Sequence, residues 1–165
     1  MSESIVIIEG SKEQKYKSLL PQIRAIIEGE PDMIANMANI CSALQEQFHW
    51  WWTGFYIVRK DQLVLGPFQG PIACTRINKG KGVCGTAWAS DKVLLVDDVN
   101  SFPGHIACSS VSQSEIVLPL HYKGQVIGVL DIDSEHPAHF DQTDQDFLQE
   151  LVEALEKNLP DSTGL

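Results

Sequence analysis

No run of apolar residues in this chain approaches the roughly 20 that a membrane-spanning helix needs. The stretch 1–10 also lacks the basic start and small-residue cleavage site of a secretory leader, so a cytoplasmic location is expected. Positive charge is scarce. Twelve Lys and Arg stand against 22 Asp and Glu, giving a formal charge of −10. Without a basic field to meet phosphate backbones or anionic lipid, nucleic-acid and membrane partners are excluded. Cysteine is sparse as well, with four residues and no paired spacing. Cytosolic thiols are kept reduced, so a structural disulfide framework is not expected. The separations of 10 between Cys74 and Cys84 and 24 between Cys84 and Cys108 match no common zinc-finger spacing, and no metal is expected. Internal repeats, low-complexity segments, linkers and Walker-type glycine loops are all missing.

What is present is enough for a full core: 165 residues, 44% hydrophobic, which fits one domain over 1–165 with a core at about 12–157. Lys12 to Glu28 has helical composition, with Pro21 expected to divide it and Ile23, Ile26 and Ile27 expected as its buried stripe. Pro31 suits the first turn of a second helix, in which Ile34, Met37, Ala38, Cys41 and Leu44 follow at helical spacing, making Cys41 a core residue.

Trp50 to Arg59 and Gln62 to Phe68 read as strands of a hairpin turning at Lys60 and Asp61. Period-two alternation sets Trp50, Trp52, Tyr56 and Val58 on one face, either as packing or as an aromatic wall for a cationic or methyl-sulfur ligand. Pro71 to Ile77 reads as a further strand carrying Cys74. The loop Asn78 to Gly82 then enters a short helix at Val83 to Ala89. Cys84 falls in that helix's first turn near Lys79 and Lys81, where dipole and charge are expected to stabilise a thiolate.

A strand at Val93 to Val96 precedes a polar, Gly- and Pro-broken loop from Asp97 to Ser110, which carries Cys108 and no evident core-building role. Ser114 to His121 and Gln125 to Ile132 form the clearest hairpin. If Gly124 is the left-handed residue of a three-residue loop, Glu115 lies opposite Asp131; a two-residue loop shifts the pairing by one. Asp131 and Asp133 share a face in either case, about 6.8 Å apart along the strand. Carboxylates gathered on one sheet face repel one another unless a cation sits among them; the alternative is a solvated acidic strand end. A final helix carries Phe147, Leu148, Leu151, Val152 and Leu155 as its buried stripe, behind several capping candidates at 140–144.

Helices, an antiparallel sheet and a terminal helix make an α+β layout. Its order resembles a GAF domain. Several stretches are similar to the free methionine-(R)-sulfoxide reductases of that superfamily: Trp51 to Tyr56, Gly70 to Cys74, Gly80 to Gly85, Asp97 to Cys108, Ser114 to Leu120, and Val129 to Ser134. The resemblance runs from about Lys12 to Leu155. It implies a central antiparallel sheet of about six strands, the N- and C-terminal helices on one face and a loop-rich ligand pocket on the other. It also implies reduction of free L-methionine (R)-S-oxide without a cofactor, with thioredoxin regenerating the thiols and a homodimer as the assembly. The family's cysteines correspond to Cys74, Cys84 and Cys108, its substrate carboxylates to Glu115, Asp131 and Asp133, and its aromatic wall to Trp52.

The residue types suit that chemistry. A thiolate attacks the sulfoxide sulfur, a carboxylic acid protonates the departing oxygen, and a second cysteine converts the sulfenic acid to a disulfide. Cys108 is expected to attack, although the helix-start argument favours Cys84, and spacing leaves the resolving residue open between Cys74 and Cys84. The loop is expected to swing about Pro103 and Gly104. Competing readings are a regulatory GAF ligand-binding module, a thiol redox sensor, and a metal site built from His105 and Cys108 with Cys74 or Cys84.

Overall fold

The computed structural model describes residues 4–105 and 110–160. Its elements run α1 Lys12–Ile27, α2 Met33–Phe48, β1 Trp52–Arg59, β2 Gln62–Gln69, β3 Arg76–Asn78, α3 Gly82–Ser90, β4 Leu94–Val96, β5 Ser114–Tyr122, β6 Gln125–Ser134 and α4 Gln142–Lys157. A 3-10 turn at Val99–Ser101 lies in the loop after β4. The strands make one antiparallel six-stranded sheet in the order β3-β2-β1-β6-β5-β4.

Strand alternation builds two cores. Phe55 and Ile57 of β1, Ile116, Leu118 and Leu120 of β5, and Leu130 and Ile132 of β6 face α1, α2 and α4. The opposite phase, with Trp52, Tyr56, Val117 and Val129, meets Val83, Cys84, Ala87 and Trp88 of α3. Helices therefore cover one face, as expected, while a single short helix covers part of the other. That uneven cover leaves a pocket.

α1 begins at a reciprocal capping box between Ser11 and Gln14. Contrary to expectation it runs unbroken through Pro21. The exposed prolyl ring removes one backbone hydrogen bond, while Tyr16, Leu19, Leu20, Ile23 and Ile27 are buried on the other side and hold the helix together. Ile26 falls off that stripe and is exposed. In α2 the cap is Asp32, so Pro31 lies outside the helix. Its buried stripe is Met33, Met37, Ile40, Cys41 and Leu44, whereas Ile34 and Ala38 are exposed.

Trp50 does not share a face with Trp52. His49 takes a left-handed conformation (φ 54°) to end α2, and the strand starts two residues beyond Trp50. Trp50 consequently stacks on Phe48 at 4.4 Å in the helix-side core. The expected strand Pro71 to Ile77 shrinks to Arg76–Asn78, leaving Cys74 in the connection that leads into β3. The β5–β6 hairpin turns on two residues, Lys123 (φ 49°) and Gly124 (φ 76°), the paired positive angles of a type I′ turn. Tyr122 pairs with Gln125, and a bulge at Leu120/His121 sets the remaining register, so Glu115 faces Asp133 and Val117 faces Asp131. The three-residue alternative is thereby ruled out.

Candidate active site

β1, β6 and β5 lie side by side, and their registers place Trp52 opposite Asp133 and Asp133 opposite Glu115. One row across the sheet thus reads Trp52, Asp133, Glu115, and the next reads Gly54, Asp131, Val117. All of these residues point to the α3 side. Gly54 is required here, because a β-carbon would come within 2.3 Å of the Trp52 indole and 2.5 Å of Phe68 Cβ. Its absence lets the indole lie over the sheet, stacked on Phe68 at 5.4 Å and on Tyr56 at 5.9 Å, with Nε1 donating to the Pro71 carbonyl at 3.1 Å.

The resulting cavity is lined on the sheet side by Trp52, Tyr56, Glu115, Asp131 and Asp133. Across from them stand Cys84 with Lys81 at the start of α3, and the rim carries Trp51, Pro71, Ile72 and Ala73. His105 and Ser112 also line it. Ser112 donates to Asp133 at 2.5 Å, and Tyr56 donates its hydroxyl to the Cys74 carbonyl at 2.9 Å. Spacing gave no signal for Ser112. Only the pairing of β5 with β6 and the path of the preceding loop bring it to the site.

Glu115 and Asp131 are buried, with the half-buried Asp133 beside them. Burial raises Glu115 well above the usual carboxylate range, and the neighbouring Asp131 and Asp133 charges raise it further. Asp131 is raised well by burial and by Asp133. Burial pushes Asp133 up to about 6, even though the Ser112 hydroxyl favours its ionised form. Asp131 Oδ1 has no hydrogen-bond partner among the described residues. The group is therefore an acid reservoir and a cation receptor in one place.

The cysteines separate clearly. Cys41 is fully buried in the helix-side core, where burial pushes its thiol up to about 12. Cys84 occupies the first turn of α3, as expected, but its thiol is raised and not lowered. Burial is the main cause, followed by the charges of Asp131 and Glu115. Lys79, which was to stabilise a thiolate, instead lies 4.9 Å from the centre of the Trp88 ring. Cys84 Sγ sits 3.8 Å from Glu115 Oε1. Cys74 is disulfide-bonded, whereas Cys41 and Cys84 are free. Cys108 lies outside the described residues. The chain on either side of it is positioned by the pocket, since His105 and Ser112 are both lining residues. Gly104, at φ 73°, accepts the Gly82 amide at 3.2 Å and ties the loop to the start of α3. Among the described residues His105 joins no metal-capable cluster; the group that does form is Cys84, Glu115 and Asp131.

The start of α3 has no side-chain cap at Lys81, and its Gly82 amide is given to the Gly104 carbonyl, so an anion at the pocket wall would meet the amides that follow Gly82. Seen whole, the site offers carboxyls to a cation, an aromatic wall to an apolar group, helix-start amides beyond Gly82 to an anion, and the Cys84 thiol on its wall.

Comparison with known proteins agrees with this architecture. Residues 32–159 match the GAF domain family. A GAF domain-containing protein A of Dictyostelium discoideum is 56% identical over 94% of this chain and 99% of its own length. The free methionine-R-sulfoxide reductase of Escherichia coli is 49% identical over 90% of this chain and 91% of its own. The X-ray structure of free methionine-R-sulfoxide reductase from Neisseria meningitidis in complex with its substrate superimposes with a TM-score of 0.93, at 51% identity over 95% of each chain. The chain belongs to the GAF domain family and, within it, to the free methionine-R-sulfoxide reductases.

Proposed function

We propose that this protein reduces free L-methionine (R)-S-oxide to L-methionine. The observation that carries the reading is the row of Trp52, Asp133 and Glu115 beside Asp131, a buried acid cluster with an unpartnered oxygen set against an aromatic wall. A free amino acid brings the ammonium such a cluster wants, whereas a methionine inside a polypeptide has none. The substrate's carboxylate is held by the amides that follow Gly82 at the start of α3, and its methyl-sulfur group lies against Trp52.

Cys108 is the attacking thiol. Its sulfur bonds to the sulfoxide sulfur, one of the crowded carboxylic acids protonates the oxygen, and the hydroxyl passes to the cysteine sulfur as the transient S–S bond and the sulfoxide S–O bond break, giving methionine and a cysteine sulfenic acid. Cys74 then attacks the sulfenic sulfur, releasing water and forming a disulfide. The disulfide-bonded state of Cys74, beside a free Cys84, supports Cys74 as the resolving residue. Cys84 has the wrong environment for a nucleophile, since a thiol buried among carboxyls is held protonated. A thioredoxin-type dithiol protein reduces the disulfide by exchange, and no bound cofactor takes part. The unit doing this is the single domain over 1–165, with a core at about 12–157. It is cytoplasmic and homodimeric, and no helix among the described residues is long and apolar enough to cross a membrane.

Epimer-resolved turnover in a thioredoxin-coupled assay tests the reading. Cys108→Ser is expected to abolish turnover of the free R epimer, and retained turnover refutes Cys108 as nucleophile. Glu115→Gln and Asp131→Asn are expected to raise KM far more than they change thermal stability. The opposite pattern would return the acids to a structural role.

A further inference from the structure

We propose that the Cys84–Glu115–Asp131 triangle is a Zn2+ site, and that the ion bound there competes with the substrate. One donor atom from each residue, the Cys84 sulfur and a carboxylate oxygen of Glu115 and of Asp131, lies within 4.8 Å of the other two, and all three residues are buried. The Cys84 Sγ to Glu115 Oε1 edge is 3.8 Å. With bond lengths of about 2.3 Å to sulfur and about 2.0 Å to oxygen, a tetrahedral zinc ion spans an S···O edge of about 3.5 Å, so small side-chain adjustments close the set.

A second observation is independent of the cluster geometry. Asp131 Oδ1 is a buried carboxylate oxygen on the pocket wall with no hydrogen-bond partner among the described residues. The position of Cys84 then decides which cation the triangle suits. An ammonium needs only oxygen acceptors, and sulfur adds little to its binding. A thiolate beside two carboxylates selects a borderline-soft ion over Ca2+ or Mg2+, which take oxygen ligands. Three protein ligands leave a fourth position toward the cavity, where Asp133 also lines the wall. Binding releases the Cys84 thiol proton, and any proton on the two carboxyls, to solvent as the metal bonds form. The zinc site stands on these residues alone; only its inhibitory effect rests on the reading of the pocket as the place where methionine sulfoxide binds.

The test uses Co2+ as a spectroscopic probe in a Cys74→Ser/Cys108→Ser double variant, which removes the other thiols of the proposed reaction, and Zn2+ in competition with a chromophoric chelator. One equivalent of Co2+ is expected to give a thiolate-to-metal charge-transfer band that Zn2+ abolishes. Adding Cys84→Ser is expected to remove the band, and adding Asp131→Asn to weaken Zn2+ binding by about tenfold or more, with circular dichroism verifying that each variant folds. Absence of the band in the double variant overturns the proposal, as does its survival in the Cys84→Ser background. Turnover by the wild-type enzyme in chelator-treated buffer tests the reductase reading separately. There Zn2+ is expected to raise KM at unchanged kcat. A band without turnover leaves the metal site standing and removes only the inhibition, while turnover without a band sinks the metal site and leaves the reductase.

Discussion

Side-chain position explains what the two free thiols among the described residues, Cys41 and Cys84, can do. Cys41 is sealed in the helix-side core with its thiol pushed up to about 12, so it is expected to resist iodoacetamide at pH 8 in the native protein and to react only on denaturation, as peptide mass spectrometry would show. Cys41→Ala should leave turnover unchanged. Gly54 makes a sharper residue-scale prediction. A methyl group at this position collides with the Trp52 indole and with Phe68 Cβ. Gly54→Ala is therefore expected to destabilise the fold by about 1–3 kcal/mol, the usual range for overpacking. It should also rotate Trp52 off its stack with Phe68, shifting tryptophan fluorescence and raising KM. The helix-start rule that marked Cys84 as a low-pKa thiol was sound as far as it went. It gave the wrong sign because the rule sees the residue's own helix, whereas the two carboxyls opposite belong to β5 and β6.

At the scale of elements, α1 and α4 are joined by a buried polar clamp. Asp144, fully buried, accepts from Lys12 Nζ at 2.5 Å and from the Tyr16 hydroxyl at 2.7 Å, and its side chain also accepts the Asp141 amide in the capping box of α4. Asp144→Ala strands the Tyr16 hydroxyl and removes the reciprocal half of the capping box, leaving Asp141 as the cap. A loss of about 2–4 kcal/mol in urea denaturation is expected, from the unpaired buried hydroxyl and the lost half of the cap, while Lys12 keeps Asp141 and the His139 carbonyl. Pro21 acts in the opposite direction. Since α1 is continuous through an exposed proline, Pro21→Ala should restore a backbone hydrogen bond and raise stability by about 1–3 kcal/mol, an upper bound set by the proline penalty in helix interiors. The proline was visible in the sequence. Its outcome was not, because the buried stripe that holds both halves of α1 in line is supplied by α2 and α4.

For the whole molecule, His121 on β5 ties together elements from opposite faces. Its Nε2 is 2.7 Å from Asp91, the residue that caps α3, and its Nδ1 is 3.0 Å from Glu156 of α4. Partial burial lowers its pKa, but the bonds and charges of Asp91 and Glu156 outweigh that and raise it. A raised folded pKa means that this stabilisation is complete below the ordinary histidine value of about 6.5 and is lost as pH rises through the folded value. The stability difference between wild type and His121→Gln in urea denaturation should thus be largest near pH 6 and fade at alkaline pH, amounting to less than about 1 kcal/mol for so exposed a bridge.

The sequence by itself determined the α+β class, the six strands, the helices that cap them and the acidic hairpin, because each rests on local periodicity and turn chemistry. It also carried five residues of the pocket, Trp52, Cys84, Glu115, Asp131 and Asp133. The tertiary structure decided how they are used. A two-residue type I′ turn with a bulge, and not a three-residue loop, chose Glu115 opposite Asp133. Trp50 left the face of Trp52 when the left-handed His49 ended α2 before the strand began. Ser112 reached Asp133 from a separate segment. Register, chain direction and burial are set by contacts between residues far apart in sequence, and the ionisation of a buried group depends on neighbours that only those contacts bring to it.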